Sequence, residues 1–356
     1  MKNLSFVLIF FSVFCLTGCN QTKTTESAPK YTLLSGRRTV PVSTVPLDSI
    51  SMSDPFILAD DVSRMYYMTG SGGVLWKSRD LEMWEGPFSY MEVDTTSWIG
   101  SRPGIWAPEL HKYKGKYYCF TTFTNPNIIV DTVPDRYNVQ RRASHILVSD
   151  KAEGPYRPMK ENIYLPENWS TLDGTFWEED GVPYMVFCHE WMQIVDGTMD
   201  YIRLSPDLSE SVGKSVVMFK ASDALWPREM NSIGEITFGM ALGGYVTDGP
   251  FLFKTGTGRL GMLWSSWGSN RYAQGVSYSA SGKLAGPWIH KEEAINPNHS
   301  GHGMLFDTFE GKKLMSLHYQ SLDPERPSPR KPMLLEIDLS GDELKIIGRY
   351  NLKSSK

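Results

Sequence analysis

Three short stretches set an aspartate where acid–base chemistry is possible. Ser53-Asp54-Pro55-Phe56-Ile57-Leu58, Leu172-Asp173-Gly174-Thr175-Phe176-Trp177 and Thr247-Asp248-Gly249-Pro250-Phe251-Leu252 each place a carboxylate and a small or ring-closed residue just ahead of an apolar, aromatic run. Such a run reads as a strand entered from a tight turn. A single aspartate there is most simply a turn cap bonded to its own backbone. Three in repeated positions predict a shared site. Gathered carboxylates raise one another's proton affinity and partial burial adds to the effect, so one group stays protonated while another ionises. That division suits cleavage of a glycosidic bond, which needs an acid for the leaving oxygen and a base for a water on the far side.

The elements that must carry these residues repeat with them. Five hairpins follow one plan: Asp54 to Ala59 with Arg64 to Met68, Trp106 to Tyr113 with Lys116 to Phe120, Asp173 to Trp177 with Pro183 to Phe187, Asp248 to Phe253 with Leu260 to Trp264, and Gly301 to Phe306 with Lys313 to Leu317. A third run follows each hairpin, at Val74 to Asp80, His145 to Asp150, Tyr201 to Asp207, Gly275 to Ser279 and Leu334 to Leu339. Several of these lead into a Gly-Pro pair, as at Gly86-Pro87, Gly154-Pro155 and Gly286-Pro287. About 50 to 75 residues separate successive starts, near the periods of propeller blades. The repeat predicts an all-β, five-bladed β-propeller with about four antiparallel strands per blade; the competing arrangement is a two-sheet sandwich of hairpins. In a propeller the innermost strands start at one mouth of the central channel, where Asp54, Asp173 and Asp248 would meet.

The segments Asp54-Pro55-Phe56, Trp106-Ala107-Pro108-Glu109-Leu110, Asp173-Gly174-Thr175-Phe176, Asp248-Gly249-Pro250 and Gly301-His302-Gly303 together resemble, in order, the blade starts of glycoside hydrolase family 43. The resemblance covers about residues 50 to 340. It implies a hydrolase of arabinose-, xylose- or galactose-containing plant glycans, expected to be an exo-acting, inverting arabinofuranosidase or xylosidase. Carried over by position, Asp54 resembles the general base and Asp173 the acidic residue that orients the proton donor. Asp248 falls where the family usually has glutamate as general acid, one methylene longer. Glu190, in Cys188-His189-Glu190-Trp191-Met192-Gln193 at the end of a predicted second strand, is the rival donor. His302 resembles a channel histidine that holds calcium mostly through water, the alternative being a histidine without metal; no other cofactor is implied. His318 is expected to pack or hydrogen-bond near the end of its strand. Phe56, Trp106, Trp191 and Trp267 are candidates to stack on a sugar ring, and Arg102, Gln193 and Gln274 to hydrogen-bond its hydroxyls. Segments 124–142 and 222–244 would shape the pocket. The competing function is a glycan-binding propeller without catalysis, Asp248 then marking a lost acid.

Leu4 to Leu16 is an apolar run of export-signal length, ending in Leu16-Thr17-Gly18-Cys19, which resembles a bacterial lipobox. The sequence therefore predicts a lipoprotein signal peptide over 1–18, a lipid on Cys19, a flexible polar tether over 19–31 and a single propeller domain over 32–356. Membrane contact is then through the lipid alone, with the domain facing the periplasm or the cell surface. A formal net charge of −4 without basic clusters argues against nucleic acid as a partner. The sequence indicates no oligomeric state. Cys119 and Cys188, in predicted second strands of neighbouring blades, are expected to be buried thiols, with a disulfide as the alternative.

Overall fold

The repeat closes into a ring in the computed structural model, which describes residues 30–36, 41–231, 235, 239, 241–269, 271–321 and 329–352. Residues 1–29, with the expected signal peptide, Cys19 and most of the tether, lie outside the described residues. From Tyr31 onward the described residues belong to one compact unit. None of the described helices is long and apolar enough to cross a membrane.

Five antiparallel sheets form the blades. Blade 1 orders its strands, from the channel outward, as Phe56–Asp60, Met65–Gly70, Val74–Ser78, Met83–Phe88 and an added outer strand Ser43–Pro46. Blade 2 comprises Gly104–Tyr113, Lys116–Asp131, Val139–Ser149 and Arg157–Pro158, and blade 3 Thr171–Glu179, Val182–His189, Thr198–Leu204 and Ser211–Lys220. Blade 4 comprises Asp248–Lys254, Leu260–Gly268, Arg271–Ser279 and Trp288–His290, and blade 5 Ser300–Asp307, Lys313–Tyr319, Lys331–Asp338 and Lys345–Arg349. Each innermost strand touches that of the next blade, and the fifth touches the first. Two expectations of length are corrected. Segment 124–142 is mainly the far end of a long blade 2 hairpin, and the third strand of blade 4 begins at Arg271 rather than Gly275.

The apolar faces of these strands bury against neighbouring blades, giving one packed layer at each seam. Leu172, Val186, Met262 and Trp264 fill the seam between blades 3 and 4, and Leu263, Val276, Leu317 and Leu335 that between blades 4 and 5. Blade 5 meets blade 1 without a shared strand. There Leu314 and Leu334 pack on Ile57, Tyr66, Met68 and the segment holding Leu47, Ile50 and Met52. Each fully buried apolar side chain contributes about 1.5–3 kcal/mol, enough collectively to hold the seam. Polar links add register: Ser316 Oγ donates to the Pro55 carbonyl at 2.8 Å, and Met52 N to the Arg330 carbonyl at 2.9 Å. Cys119 and Cys188 are free and buried, as expected of structural thiols.

Candidate active site

Each innermost strand of blades 2 to 5 breaks its ladder once, at an equivalent place. Pairing skips one residue between Trp106 and Glu109, Leu172 and Thr175, Asp248 and Phe251, and Gly301 and Met304. The residue after each break-point, with Asp54 in blade 1, is left-handed: φ is 58° at Asp54, 38° at Ala107, 53° at Asp173, 52° at Gly249 and 55° at His302. Left-handed backbone is uncommon outside glycine, and a bulge re-aims the side chain it carries. Here it turns Asp54, Asp173 and His302 onto one another. The fourth position must be glycine, because a Cβ on Gly249 would lie 2.8 Å from Cγ of the His302 ring.

Asp248 corrects the expectation of three aspartates in register. It precedes the pivot rather than occupying it, and so matches Trp106, Leu172 and Gly301. One residue earlier on the strand is one step nearer the mouth. Its side chain is accordingly 24% exposed, against 13% for Asp54 and 3% for Asp173.

The three carboxylates converge on one nitrogen. His302 Nδ1 lies 3.3 Å from Asp54 Oδ1, 3.5 Å from Asp248 Oδ1 and 4.0 Å from Asp173 Oδ2. Burial opposes protonation of this imidazole, but the three carboxylates prevail and lift its pKa to about 10. Burial likewise opposes ionisation of Asp54, and the positive charge of His302 outweighs it, holding that carboxyl far below the ordinary range. Asp54 is further fixed by Ser71 Oγ, which donates to Oδ2 at 2.5 Å and accepts from Ala107 N at 2.9 Å. Asp54 N donates to His318 Nδ1 at 3.1 Å. That nitrogen is therefore an acceptor, in keeping with the low pKa that burial gives His318.

Asp173 and Asp248 titrate as a pair. Burial first, and then the charge of Asp248, pushes Asp173 well above the usual carboxylate range. Burial would raise Asp248, but the neighbouring Asp173 carboxyl and the positive charge of His302 outweigh it and bring it to about 2. Two carboxyl groups thus hold one proton between them, resting on the more deeply buried member. Asp173 Oδ2 also accepts from Gly249 N at 3.2 Å, and Tyr272 OH donates to Asp248 Oδ2 at 2.6 Å.

Above this cluster opens a cavity of about 510 Å³, with Asp248 and Tyr272 on one wall and Trp106, Arg142 and Glu190 on another. Trp191 and Trp267 also line it. Trp106 is 39% exposed and carries the Arg142 guanidinium 4.1 Å from its ring centre, while Trp191 is buried against Met230, Leu242 and Val246. Glu190 faces the cavity as expected, but its Oε2 accepts from Arg142 and from Ser170 Oγ at 3.3 Å, which commits it to holding Arg142.

Four expected sugar contacts are placed elsewhere. Phe56 points away from this cavity, buried against His111 and Phe251 beside a second hollow. Gln274 is fully buried and spends its amide on Trp264 O, Gly275 O, Ser265 Oγ and Gly303 N, tying blade 4 to the His302 bulge. Gln193 bonds Ser170 N, Asp131 and Asn168 O, and so pins loops together. Arg102 is exposed and outside the cavity lining. Sequence reasoning missed Ser71, Arg142, Tyr272 and Arg330. The alternation of Tyr272, Gln274, Val276 and Tyr278, had the strand been started at Arg271, would have placed Tyr272 at its mouth-side end.

Comparison with known proteins agrees with this geometry. The sequence profile of Glycosyl hydrolases family 43 matches residues 43–344. An endo-arabinase from Bacteroides thetaiotaomicron is 31% identical, with a TM-score of 0.69 over 88% of this chain and 98% of its own. An extracellular endo-alpha-(1->5)-L-arabinanase from Thermotoga petrophila is 32% identical over 148 residues, which span 37% of this chain and 27% of that protein. A thermostable family-43 glycoside hydrolase shares the fold at 19% identity, with a TM-score of 0.66 over 87% of this chain and 97% of its own. The profile match runs through all five blades that build the carboxylate cluster, and the chain belongs to glycosyl hydrolase family 43.

Proposed function

We propose that this protein is an endo-acting, inverting hydrolase of α-1,5-linked arabinan, with Asp54 as general base, Asp248 as general acid and Asp173 as the residue that supplies and orients the acid's proton. The observation that carries the reading is the convergence of the three carboxylates on His302 beneath an aromatic-lined cavity. Arabinan, and internal cleavage in place of the exo action expected from the sequence, are supported by the named activity of the 31% identical endo-arabinase, whose chain is almost wholly covered.

In the reaction Asp54 takes a proton from water, the resulting hydroxide attacks the anomeric carbon, and the bond from that carbon to the leaving oxygen breaks. Asp248 gives its proton to that oxygen. Glycan seated in the cavity desolvates Asp248, which favours its neutral form and draws the shared proton from Asp173. Water then restores both groups to their resting states. The Oδ1 atoms of Asp54 and Asp248 each lie within 3.5 Å of one nitrogen, so they are at most about 7 Å apart. That bound reaches only the lowest part of the roughly 6.5–9.5 Å range of inverting pairs and also spans the roughly 5–5.5 Å of retaining ones, so inversion in this reading rests on the family resemblance. The channel cation in this reading is the His302 imidazolium. Calcium takes six to eight oxygen ligands, whereas the described residues gather two carboxylates and one imidazole within 4.8 Å. No step of the reaction runs through a metal. Export and lipidation at Cys19 complete the reading, and intact mass before and after globomycin treatment of the producing cell tests them.

Linear arabinan incubated with the protein should release arabino-oligosaccharides, Asp54→Asn should abolish that release, and proton NMR should find the first-formed anomer inverted. Release of arabinose alone would return the reading to exo action. Binding without release would establish the non-catalytic alternative. The acid is tested separately: Asp248→Asn should retain turnover of an aryl glycoside with a good leaving group while losing arabinan, and Glu190→Gln should not separate the two substrates.

A further inference from the structure

We propose that Tyr272 is a positioning residue that sets the reach of the proton donor. The inference rests on Asp248 being the general acid.

An aspartate carboxyl is one methylene shorter than the glutamate that the family resemblance expects there, and its Cα–Cβ–Cγ chain leaves the group free to rotate. Something must fix its height and its plane. The Tyr272 phenol does so by donating to Oδ2 at 2.6 Å, which leaves Oδ1 turned toward His302. Burial and the neighbouring carboxylates keep this phenol protonated, so it is a permanent donor.

The ring itself is held on several sides. It is 3% exposed and stacks on His318, with centroids 5.2 Å apart and planes 15° from parallel. The Arg330 guanidinium lies 5.4 Å from its centre, and Tyr272 N donates to His299 Nδ1 at 3.3 Å. Blade 5 leaves room for it by presenting Gly301, where a Cβ would fall 2.6 Å from Tyr272 Cε1. His318 in turn accepts the backbone N–H of Asp54. One stacked pair therefore touches the acid at one end and the base's backbone at the other, and it fixes their separation across the seam between blades 4, 5 and 1.

The test compares wild type, Tyr272→Phe, Asp248→Glu and the double variant on linear arabinan and on an aryl arabino-oligosaccharide whose leaving group needs no protonation. Loss of the phenol should lower kcat on arabinan by about 10- to 100-fold, the scale of an ångström's misplacement. KM should stay within about twofold and the aryl substrate should lose less than about threefold, because only proton donation is affected. With Asp248→Glu already present, the longer side chain reaches without the phenol, so Tyr272→Phe should cost less than about threefold on arabinan. Gly301→Ala, which drives a methyl against the ring, should reproduce the kcat loss of Tyr272→Phe and serves if that variant does not fold by circular dichroism. Equal losses on both substrates, a rise in KM without a fall in kcat, or a penalty undiminished by Asp248→Glu would overturn the proposal. If Asp248→Asn fails to separate the two substrates, the assignment of the acid falls and this inference with it; if Asp248→Asn separates them and Tyr272→Phe does not, the inference alone falls.

Discussion

Replacing His302 by asparagine would test the electrostatic core of the site. Asparagine tolerates the left-handed backbone at φ 55°, so the change removes the charge without adding strain. Unit charges 3.3 to 3.5 Å apart attract by about 5 kcal/mol at an effective dielectric near 20, and His302 faces the ionised Asp54 and Asp248 at such distances. Even a quarter of one such attraction is worth about one pH unit of a titration. In the wild type Asp54 is ionised at every working pH and contributes no acidic limb. Without the cation, burial of Asp54 is opposed only by His318, Arg330 and the Ser71 hydroxyl, and the acidic limb of kcat/KM should rise by at least about one pH unit. Stability should follow with definite sign. The folded pKa of His302 is raised to about 10, so its contribution is complete below about pH 6.5 and disappears as pH rises through 10. The depressed Asp54 contributes above its unfolded value and loses that contribution in acid. The Tm difference between wild type and His302→Asn should therefore be widest between about pH 4 and pH 6.5 and shrink both in stronger acid and toward pH 10.5. An unmoved acidic limb together with a Tm difference independent of pH would show that His302 is not the counter-charge.

Asp200 is a second buried carboxylate, 1% exposed; Thr198 Oγ1 donates to its Oδ1, and Oδ2 has no donor among the described residues. Burial raises its pKa from 3.8 to about 6, a penalty of about 3 kcal/mol that is absent in acid, develops as pH rises from 3.8 to about 6 and is complete above that. Asp200→Asn should accordingly raise Tm at pH 8 and leave it nearly unchanged at pH 4, as differential scanning calorimetry would record. Gly249→Ala combines a left-handed backbone with a Cβ 2.8 Å from the His302 ring, and should cost about 1–3 kcal/mol of stability and most of kcat through displacement of the imidazole. Glu190→Gln releases Arg142 from its partner beside Trp106, so it should raise KM for arabinan several-fold with kcat nearly kept, in contrast to Asp248→Asn, which should lower kcat.

The blades were legible because each hairpin pairs a turn with a short apolar run, and the propeller buries both faces of its strands in seams that reward such runs. Convergence of the aspartates was legible for the same reason, since fixing the innermost strands fixes the mouth at which they begin. Height along the channel was not. Asp173-Gly174 and Asp248-Gly249 read alike as dipeptides, yet Asp173 is itself the left-handed pivot, whereas Asp248 hands that role to the glycine after it. A bulge adds one residue without changing hydrophobic pattern, so no periodicity records which of two neighbours occupies it. The same blindness explains Phe56 and Gln274. Two residues beyond the pivot, Phe56 already faces the far side of the cluster, and Gln274 satisfies its amide on the backbone that the His302 bulge leaves unpaired. In the proposed mechanism the single-residue offset is also what makes the chemistry possible, because it lifts Asp248, the proposed proton donor, toward solvent and substrate while leaving Asp54 and Asp173 below it, joined to the donor through one imidazole. Moving Asp248 onto the pivot would gather three equivalent carboxylates on the axis and leave none exposed to meet a glycosidic oxygen.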